Sequence, residues 1–299
     1  PWTYTLENGT TGKVTLPVAF DGRGAVDFQR EFEMPAFDLD RFQWHLAVYG
    51  ANYATDVWVN GEFLGHHPGG YTSFLLPISR VVLQPGRDNI LRLTVNNELD
   101  ARTSIPLQHM VWGWRNYGGV HRDIALLGTP LLYVQDATCA SAPANATGAY
   151  RLTVTPQVEG ALDSVVRLVS ADKKGVFGVQ VEVVESLSGM IVAKSVLTPL
   201  LYADGRWSGG RTDVIVENPR LWTPDTPDLY TVKCQLVLTT GKNVSVIDEY
   251  VKPYGFRTVV VDRGDLVLNG RRLIVRGVAW YEDHPVWGNA IPFEERERD

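Results

Sequence analysis

The chain has 299 residues, 44% hydrophobic and 21% charged, with a formal net charge of −6. That length leaves room for two or three domains with real cores. The acidic balance argues against nucleic acid as a main partner, since phosphate binding needs a basic surface, and no apolar run approaches the roughly 20 residues of a membrane helix, so no membrane partner is expected either.

The chain opens on Pro1 rather than Met, so a preceding stretch is expected. Phe42, Trp44, Leu46 and Val48 then alternate with polar or small residues, as do Leu91, Leu93 and Val95, and later Leu152 and Val154. Period two marks half-buried strands, and almost nothing reads as helix. Turn signals punctuate the runs at Asp21-Gly22, Asn60-Gly61, Gly69-Gly70, Pro85-Gly86, Gly209-Gly210 and Asn269-Gly270. Many short strands at near-regular spacing predict sandwiches rather than a parallel α/β sheet.

The first predicted domain spans residues 1–130. A small, polar break at Ala140–Gly148 follows it. The second, residues 131–253, carries some seven short runs, among them Val179–Val184, Ile191–Val196, Val214–Val216 and Tyr230–Leu238, which fits an immunoglobulin-like sandwich. Cys139 and Cys234 lie in strand-like segments and read as two buried free thiols rather than a disulfide. The third region, residues 254–299, pairs Thr258–Val261 with Leu266–Leu268 around a Gly264-Asp265 turn. Asn269-Gly270 then turns into Leu273–Val275, and the polar and aromatic cluster Trp280, Tyr281, Glu282, Asp283 and His284 follows. Arg263-Gly264-Asp265 spells an adhesion tripeptide, but its place in a hairpin turn argues against that role. His66 and His67 lack metal-ligand spacing and read as solvated loop histidines.

Four motifs, in order, resemble glycoside hydrolase family 2, the family of β-galactosidases, β-glucuronidases and β-mannosidases. YGANYATDVWVNGEFLGHHPGGYTSF looks like its amino-terminal sugar-binding jelly roll, and NYGGVHRDIALLGTP like that domain's closing segment. LWTPDTPDLYTVKCQLV is similar to late strands of its immunoglobulin-like domain. YGFRTVVVDRGDLVLNGRRLIVRGV followed by EDHP resembles the lead into its (β/α)8 catalytic barrel, with Ile274–Val278 as the first barrel strand. The fold implied is all-β: a jelly-roll sandwich, then an immunoglobulin-like sandwich, ending in the first strand of a truncated barrel.

The resemblance implies the non-catalytic amino-terminal region of a retaining exo-β-glycosidase acting on terminal β-linked sugars of galactoside or glucuronide type. It needs no organic cofactor. Its catalytic glutamates, roughly 5–5.5 Å apart in retaining enzymes, are expected beyond Asp299. The partners implied are the carbohydrate substrate, the chain's own barrel and further copies in a homo-oligomer. The alternative is a free-standing carbohydrate-binding module, or a structural piece that complements a separate barrel. Asn97-Glu98 resembles the family's acid/base pair in wording only, because it follows a jelly-roll strand.

Two departures bear on the sugar. Many members carry an acidic residue where this chain has Gly113, which leaves Arg115, Asn116 and Tyr117 as polar candidates in that loop. A structural role, with Asn116 and Tyr117 closing the jelly roll through backbone bonds, competes with substrate contact. The first barrel strand often ends in Asn-Arg-His-Glu, whereas this chain reads Ala279, Trp280, Tyr281, Glu282. Trp280 can stack on a sugar ring and Tyr281 can donate a hydrogen bond. Glu282 and Asp283 are candidate sugar contacts, or else members of a network with Arg276 or an arginine on a later strand. Asp283 with His284 could hold a cation, but a third ligand is not in view.

Overall fold

A computed structural model describes residues 1–34, 42–100, 115–160 and 175–298; Gly113 lies outside these residues. The chain divides into two compact units. One joins Pro1–Thr129 to the tail from Val278 onward, and the other is Pro130–Gly277.

The first unit is a sandwich. Its strands are β1 (Trp2–Leu6), β2 (Thr11–Val14), β3 (Ala25–Glu33), β4 (Phe42–Val48), β5 (Ala54–Val59), β6 (Glu62–Pro68), β7 (Phe74–Ile78), β8 (Asp88–Asn96) and β9 (Ile124–Pro130). A six-stranded sheet in the order β2-β1-β3-β8-β5-β6 accompanies a three-stranded sheet, β7-β4-β9. Inward residues alternate with outward ones along β5 and β8, so Val57, Val59, Leu93 and Val95 are buried with Phe28, Trp44, Leu46 and Val48. This is the sandwich that the alternation predicts, where the resemblance implies a jelly roll. Asn60-Gly61 joins β5 to β6 with positive φ at both residues (50° and 84°), the tight turn that suits strand twist. Asn60 also anchors the turn. Its Nδ2 donates to Val82 O and Asn89 Oδ1, and its Oδ1 accepts from Ile90 N. His66 and His67 lie on β6 rather than in a loop. His66 Nδ1 sits 2.7 Å from Asp56, and the His67 ring stacks on Phe74 at 4.2 Å.

The second unit is an immunoglobulin-like sandwich. It contains β10 (Tyr133–Pro143), β11 (Tyr150–Glu159), β12 (Gly175–Glu185), β13 (Ile191–Lys194), β14 (Thr198–Ala203), β15 (Arg206–Gly209), β16 (Thr212–Val216), β17 (Tyr230–Thr240) and β18 (Asn243–Tyr254). The sheet β10-β11-β16 accompanies β15-β14-β12-β17-β18, with β13 on β12. Leu152, Val154, Val181, Val232, Leu236 and Phe256 share its core. The Phe256 ring meets Tyr150, Tyr230 and Tyr254 edge-on at 5.1–5.9 Å, an arrangement favoured by the ring quadrupoles. Both cysteines are free thiols. Cys234 is buried, and burial pushes its thiol up to about 12, whereas Cys139 is only half-buried.

A small sheet of β19 (Val259–Asp262), β20 (Asp265–Leu268) and β21 (Arg271–Arg272) closes this unit. Its first turn falls one residue earlier than predicted, on Arg263-Gly264 with φ of 49° and 87°, because only that pair adopts the left-handed region there. Asn269-Gly270 turns as expected. The expected strand Ile274–Val278 joins no sheet among the described residues, and its apolar side chains Ile274, Val275 and Val278 are exposed. A strand needs a neighbour to pair its N–H and C=O groups, and none of the described strands is paired with this segment.

Candidate functional site in the first unit

The segment Gly118–Arg122 is laced between two stretches of jelly-roll backbone. Phe20 and Gly118 exchange both N–H···O bonds (2.8 and 2.9 Å), and Val18 N donates to Val120 O. Asn52 N donates to Gly119 O at 2.9 Å, and the N–H groups of His121 and Arg122 both reach Gly50 O. Gly119 is required here. Its φ is +110°, and a Cβ would sit 2.6 Å from the Val18 carbonyl oxygen.

Two buried asparagines, Asn52 and Asn97, and the partly buried Asn116 hold the approach to this segment. Asn97 Nδ2 donates to Gly22 O and Asn116 O, while its Oδ1 accepts from Gly24 N. Asn116 Nδ2 donates back to Asn97 O at 2.6 Å. Asn52 Nδ2 donates to Asn116 Oδ1 (2.7 Å) and Tyr117 O (2.6 Å). Asn116 and Tyr117 thus take part in backbone closure. The next residue, Glu98, is exposed, and its N–H donates to Asn96 Oδ1. Arg115 is exposed, pairs with Asp21 at 2.9 Å and lies 5.5 Å over the Tyr117 ring.

The tail brings Glu282 and Asp283 of the second predicted set to the same segment. The buried Tyr117 hydroxyl donates to Asp283 Oδ1. Burial, and then the bond to Asp283, push this phenol above its ordinary value, so it stays a donor. Arg122 Nη2 donates to Glu282 Oε2, and Arg296 lies 3.7 Å from the other carboxylate oxygen. Among the described residues the guanidinium partners of Glu282 are therefore Arg122 and Arg296 rather than Arg276. Arg122 Nη1 also donates to His121 O (2.9 Å) and Asn289 O (3.1 Å). Between Glu282 and Asn289 the chain folds on itself. His284 and Gly288 exchange backbone bonds, and His284 Nδ1 accepts from the N–H groups of Val286 and Trp287. One ring nitrogen of His284, a candidate cation ligand, thus caps a turn. Gly288 has φ +54° and packs closely, since a Cβ there would lie 3.1 Å from the Tyr117 ring. The helix α1 (Phe293–Arg296) follows.

His121 was not singled out from sequence. It is buried beside Tyr71, with ring centroids 4.9 Å apart, and Asn289 Nδ2 donates to the Tyr71 hydroxyl. Burial lowers the imidazole to about 4, with the Arg122 charge adding to the effect, so the ring is neutral at pH 7. Neither ring nitrogen has a hydrogen-bond partner among the described residues, nor do Asn52 Oδ1 and Asn289 Oδ1. Trp280 and Tyr281, by contrast, are 52% and 59% exposed. The arrangement is a hydrogen-bonded polar floor beside two exposed aromatic side chains. No group of three or more His, Cys, Asp or Glu side chains placed to hold a metal occurs among the described residues.

The comparisons with known proteins agree with this layout. Residues 11–130 match the model of the glycosyl hydrolases family 2 sugar binding domain, and residues 133–257 match that of glycosyl hydrolases family 2. The chain is 28% identical over 292 residues to a β-glucuronidase of Paenibacillus borealis, covering 91% of this chain and 42% of the relative. It is 27% identical to a β-galactosidase of Alteromonas mediterranea, covering 83% of this chain and 22% of that one. The solved β-D-glucuronidase of Dictyoglomus thermophilum superposes with a TM-score of 0.77 at 22% identity, over 99% of this chain and 50% of that structure. The chain thus spans less than half the length of the curated relatives named here.

Proposed function

From the premise that the chain belongs to glycosyl hydrolase family 2, we propose that it is the non-catalytic amino-terminal region of a retaining exo-β-glycosidase. The substrate is a terminal β-linked sugar of glucuronide or galactoside type. The double displacement is carried out by two carboxylates of a barrel outside this sequence. The chain's own residues position and bind. Arg115, Asn116 and Tyr117 on the jelly-roll loop, with Trp280, Tyr281, Glu282 and Asp283 on the tail, form its contribution to the sugar site. Its further partners are its own barrel and other copies of the enzyme.

The observation that carries this reading is the meeting of those two sets. The closing loop of the sugar-binding domain and the segment resembling the barrel's first strand are joined through Tyr117–Asp283 and Arg122–Glu282. The chain alone is expected to give no turnover of aryl β-glycosides above a no-enzyme blank. The same chain continued through its barrel is expected to hydrolyse them with retention of configuration, followed by NMR of the released sugar. Turnover by the isolated chain, or inversion by the continued one, would sink the reading.

With Gly113 in place of the acidic residue and Tyr281 in place of the usual histidine, two polar sugar contacts are changed. Sites built to bond a hydroxyl discriminate strongly by it. The whole enzyme is therefore expected to prefer another aryl β-glycoside over the galactoside. Comparing kcat/KM across a panel of aryl glycosides tests this, and a preference for galactoside would overturn it.

A further inference from the structure

We infer that Arg122 is the positioning residue of the sugar-facing segment, and that Glu282 serves that segment as an anchor rather than as a sugar contact. This rests on the reading above and refines the role of Glu282 within it. One guanidinium bonds both feet of the loop 282–289: Nη2 takes the Glu282 carboxylate and Nη1 the Asn289 carbonyl. A planar fork with five donors can hold two acceptors this way at fixed angles, whereas an ammonium is a single point charge. The backbone N–H of Arg122 is itself fixed to Gly50 O, so the clasp is built on the jelly roll and not on the tail. Tyr117 holds the adjacent Asp283 from the same loop.

Both carboxylates of the Trp-Tyr-Glu-Asp cluster are thereby engaged by protein donors. Glu282 has two guanidiniums facing it, from Arg122 and Arg296, and its side chain is only 25% exposed. Trp280, Tyr281 and Asp283 remain exposed. The buried surroundings of the clasp argue for rigidity: His121 is neutral against Tyr71, and Asn289 is buried and bonded to Tyr71. A clasp of this kind fixes where an aromatic platform stands without touching the sugar itself.

Hydrogen exchange on the 299-residue chain tests the clasp. In Arg122→Ala, amides of residues 282–290 are expected to exchange at least ten-fold faster, with those of β8 unchanged. Arg122→Lys should fall between wild type and Arg122→Ala, since it can hold only one foot firmly. Unchanged exchange at 282–290, or equal acceleration throughout the first unit, would overturn the clasp. In the chain continued through its barrel, Arg122→Ala and Trp280→Ala are each expected to raise KM about five-fold or more. The double variant should be no worse than the poorer single one. Additive effects, or loss confined to kcat, would overturn the positioning role. If the wild-type continued chain cleaves no aryl β-glycoside, the functional reading fails, and the exchange result still decides the clasp.

Discussion

The two sandwiches bury polar groups for different ends. In the first unit Asn52, Thr55, Asn89, Asn97, His121 and Asn289 are buried, whereas the buried polar residues described in the second are Glu182 and Thr212. The second unit is mostly regular ladder, where strand pairing satisfies the backbone and an apolar plug, Phe256, can seal the core. The first unit must also hold irregular backbone, the closing loop and the returning tail. Buried N–H and C=O groups there lack ladder partners, so asparagine amides supply them. Buried polarity therefore marks where this protein departs from plain sandwich, and that is where its candidate site lies.

The most severe test of this contrast is apolar. Phe256→Ala in the second unit should cost about 3–5 kcal/mol, and Leu93→Ala in the first about 2–5 kcal/mol, both read by denaturant unfolding. A marked deficit at Phe256 would mean that its ring contacts do not seal the core.

Acid should then separate the units. The His121 imidazole is lowered to about 4 in the folded chain against an ordinary 6.5, so between those values the unfolded chain binds more protons. Stability of the first unit should be lost as pH falls from about 6.5 to about 4, by about 3 kcal/mol in total. His121→Gln should flatten that part of the profile, measured by unfolding at several pH values. A profile unchanged by the substitution would remove histidine burial as its cause.

Smaller still is the Asn97 effect. Asn97→Ala strands Gly22 O, Asn116 O and Gly24 N, and should cost about 1–3 kcal/mol. The exposed neighbour Glu98 offers the least: Glu98→Ala should stay within about 0.5 kcal/mol. Equal effects at the two positions, in thermal unfolding, would contradict the division drawn here between buried closure and solvent-facing residue.

Much of the fold was legible along the chain. Period-two runs gave β4, β8 and β11 their inward faces, and Asn60-Gly61 and Asn269-Gly270 turned as such pairs do. An equally clear pair, Asp204-Gly205, was passed over and turns β14 into β15 with φ of 53° and 76°. The site was legible only in its members. Arg115, Asn116, Tyr117 and the Trp280–Asp283 cluster stood out by residue type, but nothing local says which arginine meets Glu282.

The sequence by itself determined most of the strands, the turns at Asn60-Gly61 and Asn269-Gly270, and which family the chain resembles. Each of those rests on short-range sterics, alternation or a recognisable run of residues. Tertiary structure alone decided that Arg122 clasps Glu282 from 160 residues away, that His121 is buried and neutral, and that Ile274–Val278 stays out of every described sheet. The reason is physical. An ion pair, a desolvated ring and a strand's missing neighbour all depend on what lies across space, and periodicity along the chain carries no record of it.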